Sequence, residues 1–204
     1  MLKGETMARC SASDALATGL RGLPLKLDRL TLRPPTFDDV KPMFNRWATD
    51  PEVARYLIWA PHKSDVETHQ FLSWAIDQWS TGPEYCWMIC PHCSSDPVGT
   101  ISLRDEGYKA SVGFALSRAF WNRGFVSEAA FALIALAFSS GRIHRVSGVC
   151  DVDNHASAAV MQKVGMTLEG RLRSWLVHPV LGSTPRDCLS FSITKDDWKL
   201  HARN

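Results

Sequence analysis

Two polar segments, each placed where a predicted helix begins, hold the residues best suited to bind an anion. The first covers 121–129 and reads WNRGFVSEA, with the helix beginning directly after Gly124. The first N–H groups of a helix have no partner within the helix and carry the positive end of its dipole. Because glycine allows close approach to the backbone, this segment predicts a pyrophosphate site, with positive charge added by Arg118 and Arg123. A plain strand-to-helix turn is the alternative interpretation.

The second segment, 151–157, reads DVDNHAS and also opens a predicted helix. Asn154 is a typical N-cap residue and Ser157 follows it in the first turn, so capping alone is the alternative interpretation here. The two helix starts, however, stand about thirty residues apart, each after a predicted strand. If those strands are neighbours, both helix starts lie beyond the same end of the sheet, which is where ligands of open sheets bind.

A third segment, Cys90-Pro91-His92-Cys93, has the spacing of a redox pair or of half a zinc site. It lies between two predicted strands, at the tip of a hairpin, whereas a redox pair of this type needs a strand that leads into a helix. A zinc site would need a second pair of ligands, toward which the sequence offers only the isolated Cys86 or His62. We therefore predict that these cysteines are structural or incidental and that the protein holds no metal.

The elements that position these segments follow from hydrophobic periodicity and capping signals. Two early helices are predicted to begin near Thr36 and Ser64, each with a capping box that is completed by an acidic residue three positions later. Two further helices and seven strands are predicted over 125–139 and 154–164, and over 27–32, 85–90, 98–103, 110–117, 143–150, 168–177 and 189–194. The order β-α-α-β-β-β-α-β-α-β-β predicts one α+β domain with a mixed sheet.

The chain has 204 residues and a formal net charge of +2, which gives no electrostatic signature of a nucleic-acid-binding protein. No run approaches the ~18 apolar residues of a membrane span, and the sequence shows no secretory signal, so we expect a cytoplasmic protein that binds no membrane. Residues 1–26 are expected to form a flexible tail before a single domain at 27–204. Four tryptophans are expected in the core: Trp47, Trp74, Trp79 and Trp198.

Over most of its length the sequence resembles the GNAT superfamily of acyl-CoA-dependent N-acetyltransferases, in its RimJ/RimL-like branch. The resemblance runs from about Leu30 to about Thr194. It is carried by LTLRPPTFDDV at 30–40, FWNRGFVSEA at 120–129 and RVSGVCDVDNHASAAVMQKVGMTLEGRLR at 145–173. It implies a GNAT-like fold, with a mixed, mostly antiparallel twisted sheet of about seven strands and helices on both faces.

The resemblance also implies a coenzyme site. The family loop whose amides hold the coenzyme A pyrophosphate corresponds to Trp121–Val126, where Val126 replaces the usual final glycine or alanine. The pantetheine arm would pair with the strand before this loop and bind Asn154. The implied coenzyme-binding residues are Phe114, Leu116, Trp121, Asn122, Arg123, Gly124, Phe125, Val126, Ser127, Asn154 and Ser157.

For the reaction, the resemblance implies direct attack of an amine on acetyl-CoA, with Ser157 as proton donor to the leaving thiolate and a backbone N–H near Leu116 for the oxyanion. No general base is identified, because the position where some relatives carry glutamate is Leu176. Trp59 and His62 are expected at the acceptor pocket. Nearby alternatives for the base, for each of which a structural role is the competing interpretation, are Glu169, Asp151, Asp153, His178 and His62. Asp187 corresponds to a position that is often acidic in this branch, and orienting its neighbours is its alternative role.

The sequence therefore predicts an acetyl-CoA-dependent N-acetyltransferase that acts on a primary amine, either a protein N-terminal α-amine or a small-molecule amine. The alternative is a coenzyme-A-binding module with little or no turnover, which Val126 and the missing glutamate motivate. Acetyl-CoA and the amine acceptor are the expected partners, and a homodimer is left open.

Overall fold

The fold is organised around one eight-stranded sheet in a computed structural model that describes residues 24–201. Its strands are β1 Leu25–Lys26, β2 Leu30–Arg33, β3 Glu84–Pro91, β4 Gly99–Asp105, β5 Lys109–Leu116, β6 Arg145–Asp151, β7 Thr167–Leu176 and β8 Arg186–Thr194. Their spatial order is β1-β2-β3-β4-β5-β6-β8-β7. The seven predicted strands are present, and the short β1, which pairs with β2, is an addition. Residues 1–23 of the predicted tail lie outside the described part of the chain.

Six α-helices of the described segment connect and flank these strands. They are α1 Val40–Met43, α2 Pro51–Ala54, α3 Asp65–Thr81, α4 Phe125–Ser139, α5 His155–Lys163 and α6 Lys195–His201. The bounds of α4 agree with the predicted 125–139, because an apolar stripe and a glycine at each end mark it clearly. Helices α2 and α6 are too short to produce a periodic pattern and were not predicted. No helix within residues 24–201 is long and apolar enough to cross a membrane.

The two predicted capping boxes have different outcomes. At Thr36 the box forms, since the Thr36 amide donates to Oδ2 of Asp39 at 2.8 Å. At Ser64 the prediction is wrong, because no side chain caps α3 there and Glu67 accepts instead from the amide of Lys63 at 2.9 Å. Glu67 thus still accepts a hydrogen bond from a backbone N–H at the start of the helix, but that N–H belongs to the residue before the one that the pattern indicates.

The side chains of β3 point alternately to the two faces of the sheet, and they belong to two separate hydrophobic clusters. Trp87 and Ile89 belong to a large cluster that includes Leu133 of α4, whereas Met88 belongs to a smaller cluster with Trp47. Helices therefore cover both faces, as predicted.

The tryptophans expected in the core are mostly there. Trp47 is fully buried, and Trp79 and Trp198 pack against the large cluster. Trp74 is the exception, with 42% of its surface exposed, so that prediction is wrong. It lies on the solvent side of α3, since the buried Leu72 and Ala75 define the opposite side of the helix.

The feature that creates a site is the separation of β5 from β6. These two strands run parallel and pair at three positions, Lys109 with Arg145, Ala110 with Val146 and Ser111 with Ser147. Beyond Ser111 the strand β5 pairs with β4, and β6 pairs with β8. A gap therefore opens between their carboxyl ends, and the helices that follow these strands, α4 and α5, both begin beside it.

Candidate active site

A cavity of about 580 Å³ lies where β5 and β6 separate, which is within the size range of sites for small ligands. Ten of the residues predicted to bind the coenzyme line it: Phe114, Leu116, Trp121, Asn122, Gly124, Phe125, Val126, Ser127, Asn154 and Ser157. The eleventh, Arg123, does not belong to the lining. The structure thus brings together two segments that the sequence linked by an assumption about neighbouring strands.

The wall formed by α4 offers unpaired backbone donors. Gly124 precedes the helix in the left-handed conformation, with φ of 79°, and no side chain caps this helix. Asn122 is also left-handed, with φ of 58°. Such turns make a concave group of N–H donors, and the first N–H groups of α4 have no partner within the helix. This wall is therefore suited to phosphate oxygens.

Trp121 fastens the loop to the edge of β5. Its indole Nε1 donates to the carbonyl of Leu116 at 2.7 Å. The amide of Ser117 donates to the carbonyl of Val98, the residue directly before β4, at 2.8 Å. By alternation, the amides of Phe114 and Leu116 therefore point away from β4, into the gap. The edge of β5 can consequently bind an extended ligand by backbone hydrogen bonds.

The predicted cations Arg118 and Arg123 each have another partner. Arg118 is paired with Asp50 at 2.6 Å, and the guanidinium of Arg123 lies over the ring of Phe120. Instead, Nη2 of Arg29 lies 3.2 Å, and Nζ of Lys163 3.9 Å, from the position that a Cβ would take at Gly124. No signal in the sequence connects these two residues with the loop.

Arg29 is held in place by hydrogen bonds. Its backbone N–H and Nε donate to the two carboxylate oxygens of Glu128 at 2.9 and 2.7 Å, and Nη1 donates to the carbonyl of Arg123 at 2.8 Å. These bonds join the start of β2 to the first turn of α4. The guanidinium is therefore fixed beside Gly124 as an ion pair with Glu128, with Nη2 directed toward the loop.

Val126, the departure from the family loop, is accommodated in the core. It is 7% exposed and belongs to the large hydrophobic cluster, although part of it reaches the cavity lining. Because its side chain is directed mainly inward, its backbone N–H remains available at the helix start.

The wall formed by α5 is organised by a side-chain cap. Oδ1 of Asn154 accepts a hydrogen bond from the amide of Ser157 at 3.1 Å, which confirms the predicted N-cap. The amide nitrogen Nδ2 of Asn154 and the hydroxyl of Ser157 are not used in this cap. Both residues line the cavity, so these two polar groups can form hydrogen bonds with a ligand.

The residues predicted at the acceptor pocket lie elsewhere. Neither Trp59 nor His62 lines this cavity. Nδ1 of His62 is 2.7 Å from the hydroxyl of Thr68, the rings of Trp59 and His62 pack against each other, and burial lowers the pKa of His62. The opposite wall is formed instead by α2 and the segment after it, with Glu52, Val53, Arg55, Tyr56 and Leu57.

The carboxylates considered as bases are engaged in ion pairs. Glu169 accepts hydrogen bonds from Arg145 and Ser192, which lower its pKa to about 2, and it lies outside the cavity lining. Asp153 lines the cavity, but its Oδ2 is 2.6 Å from Nη2 of Arg186. Glu52 is the other carboxylate of the lining, and its nearest charged partner is Arg55 at 3.5 Å.

Two further acidic residues have structural partners. Burial opposes the charge of Asp151, but hydrogen bonds from Arg186 and from the amide of Asp153 outweigh it and lower the pKa of Asp151. The amide of Ser174, which has a positive φ of 48°, donates to Asp187, and Arg171 donates to it as well. These bonds lower the pKa of Asp187 and tie its carboxylate to Ser174 and Arg171. Leu176, by contrast, brings no acidic group to the strand.

The Cys90–Cys93 segment lies at the predicted hairpin between β3 and β4, away from the cavity. Burial raises the pKa of the Cys90 thiol, which is the opposite of what a reactive redox pair needs. Within residues 24–201, no group of three or more histidine, cysteine or acidic side chains is placed to hold a metal ion.

The parallel strands that separate at the centre of the sheet, with two helix starts beside them, fit the acyl-coenzyme A transferase fold that the sequence resemblance implies. Comparison with known proteins gives the same class. The profile of the Acetyltransferase (GNAT) domain matches residues 29–167, so the chain belongs to the GNAT acetyltransferase family.

Individual relatives agree with this assignment. The uncharacterized N-acetyltransferase YoaA of Bacillus subtilis (strain 168) is 28% identical over 174 residues, which are 84% of this chain and 96% of that protein. The structure of RimL, a ribosomal L7/L12 alpha-N-protein acetyltransferase in complex with coenzyme A, matches with a TM-score of 0.74 at 23% identity, covering 86% of this chain and 99% of that one. The microcin C7 self-immunity acetyltransferase MccE, in complex with acetyl-CoA and AMP, matches with a TM-score of 0.75 at 21% identity, over 82% and 93% of the two chains. The two solved structures share the fold of this chain.

Proposed function

We propose that this protein transfers the acetyl group of acetyl-CoA to a primary amine, within a complex that holds both substrates. The observation that carries the proposal is the cavity between β5 and β6, which joins an uncapped helix start to a strand edge with free amides. The first of these features suits a pyrophosphate, and the second suits the amide-containing pantetheine arm.

The chain's own groups fit the coenzyme in three places. The N–H groups at the start of α4, with Arg29 and Lys163 beside them, would hold phosphate oxygens. The outward amides of Phe114 and Leu116 would pair with the pantetheine arm, and Nδ2 of Asn154 would donate to one of its carbonyls. Acetyl-CoA itself supplies a thioester, whose acyl group an amine can take directly.

In the proposed reaction, the neutral amine forms a C–N bond to the acetyl carbon while the C–S bond breaks. A backbone N–H near Leu116 would stabilise the oxygen that gains charge. The hydroxyl of Ser157, which is not used in the cap, would donate a proton to the thiolate and take one back from solvent. The amine loses its extra proton to solvent or, through a water molecule, to Glu52 or Asp153 of the lining.

The acceptor class follows from the cost of neutralising the amine. For an α-amine with a pKa near 8, this costs roughly 1.4 kcal/mol at pH 7, whereas for a lysine side chain it costs roughly 4.6 kcal/mol. Because the carboxylates of the lining are exposed or ion-paired, a weak base is what the cavity offers, and this favours an α-amine. The likeness to RimL, an alpha-N-protein acetyltransferase, supports a protein N-terminus, and a small-molecule amine is the other candidate.

The test is release of the coenzyme A thiol from acetyl-CoA in the presence of an amine panel. The panel contains short peptides with a free N-terminus, the same peptides with an acetylated N-terminus and one lysine, and small primary amines. We expect turnover with free α-amines and at least tenfold less with the lysine peptides. Tight binding of acetyl-CoA by calorimetry without turnover on any amine would instead establish a coenzyme-binding module.

A further inference from the structure

A buried histidine connects the two walls of the cavity without lining it. His178 lies between β7 and β8, and 1% of it is exposed. Its Nδ1 is 3.3 Å from the carbonyl oxygen of Leu57, in the segment after α2. Its Nε2 is 3.3 Å from Oδ2 of Asp151, at the end of β6, although this contact lacks hydrogen-bond geometry. The imidazole thus sits between the segment after α2 and the strand that leads into α5.

On the β6 side, the contact is with a residue that organises the start of α5. The carboxylate of Asp151 is fully buried and accepts from Nε and Nη2 of Arg186 at 2.6 and 3.0 Å, and from the amide of Asp153 at 2.9 Å. Its carbonyl accepts from the amide of Asn154 at 2.9 Å. Asp151 therefore determines where the turn that carries Asn154, and Ser157 after it, is placed.

On the other side, the contact is with the cavity wall that faces the coenzyme loop. Tyr56 and Leu57 line the cavity, and the ring of Tyr56 lies edge-on to the imidazole, with centroids 6.2 Å apart. The amide of Leu57 bonds locally to the carbonyl of Ala54, whereas its carbonyl reaches across to His178. The next residue, Ile58, is 70% exposed, so little packing holds this segment from outside.

We infer that His178 is a positioning residue for the amine acceptor, holding Tyr56 and Leu57 at a fixed distance from the helix start that carries Ser157. The inference rests on the proposed function, because it assigns the wall formed by these two residues to the acceptor. The start of α4 is on the other side of the cavity and has no contact with the imidazole. Loss of His178 should therefore weaken use of the acceptor while leaving coenzyme binding unchanged.

The experiment compares His178→Phe, which keeps a ring in the buried space but has no polar atom, with His178→Gln, which keeps an N–H donor for the carbonyl of Leu57. The control for general destabilisation is Ile143→Ala, a buried change near the opposite end of β6. For each protein, KM for the acceptor, kcat, Kd for acetyl-CoA and hydrogen exchange of peptides covering 52–60 are measured.

For His178→Phe we expect KM for the acceptor to rise about tenfold, the size of effect that one buried hydrogen bond produces, with Kd for acetyl-CoA within twofold of the parent. Exchange over 52–60 should accelerate selectively. His178→Gln should restore most of the parent's acceptor KM and most of its slow exchange over 52–60. The Ile143→Ala variant should be less stable but keep its acceptor KM.

Three results would overturn the inference. The first is an equal loss of acceptor and coenzyme binding in His178→Phe, and the second is unchanged exchange over 52–60. The third is a glutamine variant as impaired as the phenylalanine variant. Failure of the proposed function looks different, because the parent protein would then release no thiol with any amine. The exchange comparison needs no turnover and still decides whether His178 holds the segment.

Discussion

At the cavity, α4 begins after a glycine and leaves its first N–H groups free, whereas α5 begins after Asn154, whose side chain occupies the amide of Ser157. Both helix starts follow strands that end at the same gap, so the difference lies in the residue before the helix. An uncapped start gives up stability that a capping side chain would provide, but it keeps backbone donors for an anion. At a capped start, one backbone N–H is already bonded to the capping side chain, so a ligand is bound mainly by the side chains there.

The largest effect is expected from giving α4 the cap that it lacks. Gly124→Asp can adopt the left-handed conformation and would place a carboxylate at the free N–H groups. Two like charges about 4 Å apart near a protein surface repel by roughly 4 kcal/mol, so Kd for acetyl-CoA should rise about a hundredfold or more. Calorimetric titration measures this change.

Gly124→Asn is the matched control, since it has the same shape, the same tolerance of positive φ and the same contact with Arg29, but no charge. It should weaken binding by about tenfold or less. Equal losses for the two variants would show that the start of α4 holds no anion and that the glycine matters for its shape alone.

A smaller effect is expected from Ser157→Ala, which removes the hydroxyl but keeps the capped amide. The thiol of coenzyme A resembles that of cysteine, with a pKa of about 8.5, so its thiolate is a fair leaving group even without a proton donor. We therefore expect kcat to fall only about tenfold. Stability and Kd for acetyl-CoA should not change. An unchanged kcat, measured by thiol release at saturating substrates, removes Ser157 from the reaction.

Asn154 allows capping to be separated from ligand binding. Asn154→Ala loses the cap, at a cost of about 1 kcal/mol, and should lower Tm by about 2–4 °C. Asn154→Asp keeps the cap but loses the Nδ2 donor, so it should hold its Tm while Kd for acetyl-CoA rises about threefold to fivefold. If the aspartate variant binds the coenzyme as well as the parent, Asn154 serves only the helix.

The smallest effect is expected away from both helix starts. Cys90→Ser combined with Cys93→Ser changes the hairpin between β3 and β4, outside the cavity lining. The double variant should keep kcat and both KM values within twofold. A marked loss of activity in the thiol-release assay would give these cysteines a role that their position does not indicate.

Features that depend on neighbours in the sequence were predicted well. Gly124 before α4, Asn154 before α5 and the capping box at Thr36 each depend on residues within one helical turn. The pattern failed where two local partners compete, as at Glu67, which binds the amide of Lys63 rather than that of Ser64.

Residues that reach the site from distant parts of the chain were missed. Arg29 is 94 positions from Arg123, whose carbonyl it binds, and nothing in the spacing of the sequence relates the two. Tyr56 and Glu52 line the cavity because α2 packs there, and α2 is too short for a periodic signal. Trp59 and His62, the residues expected at the acceptor pocket, belong to the same connection and lie outside this cavity.

By itself the sequence determined the order of the longer strands and helices, the two contrasting helix starts and the family to which they belong. These features follow from hydrophobic periodicity, single capping residues and short motifs, and each of these signals extends over only a few residues. The tertiary structure alone decided that β5 and β6 separate after three paired positions, and which charges meet at Gly124. It also placed His178 between Leu57 and Asp151. These features arise from the packing of segments far apart in the chain, and no local rule relates such segments.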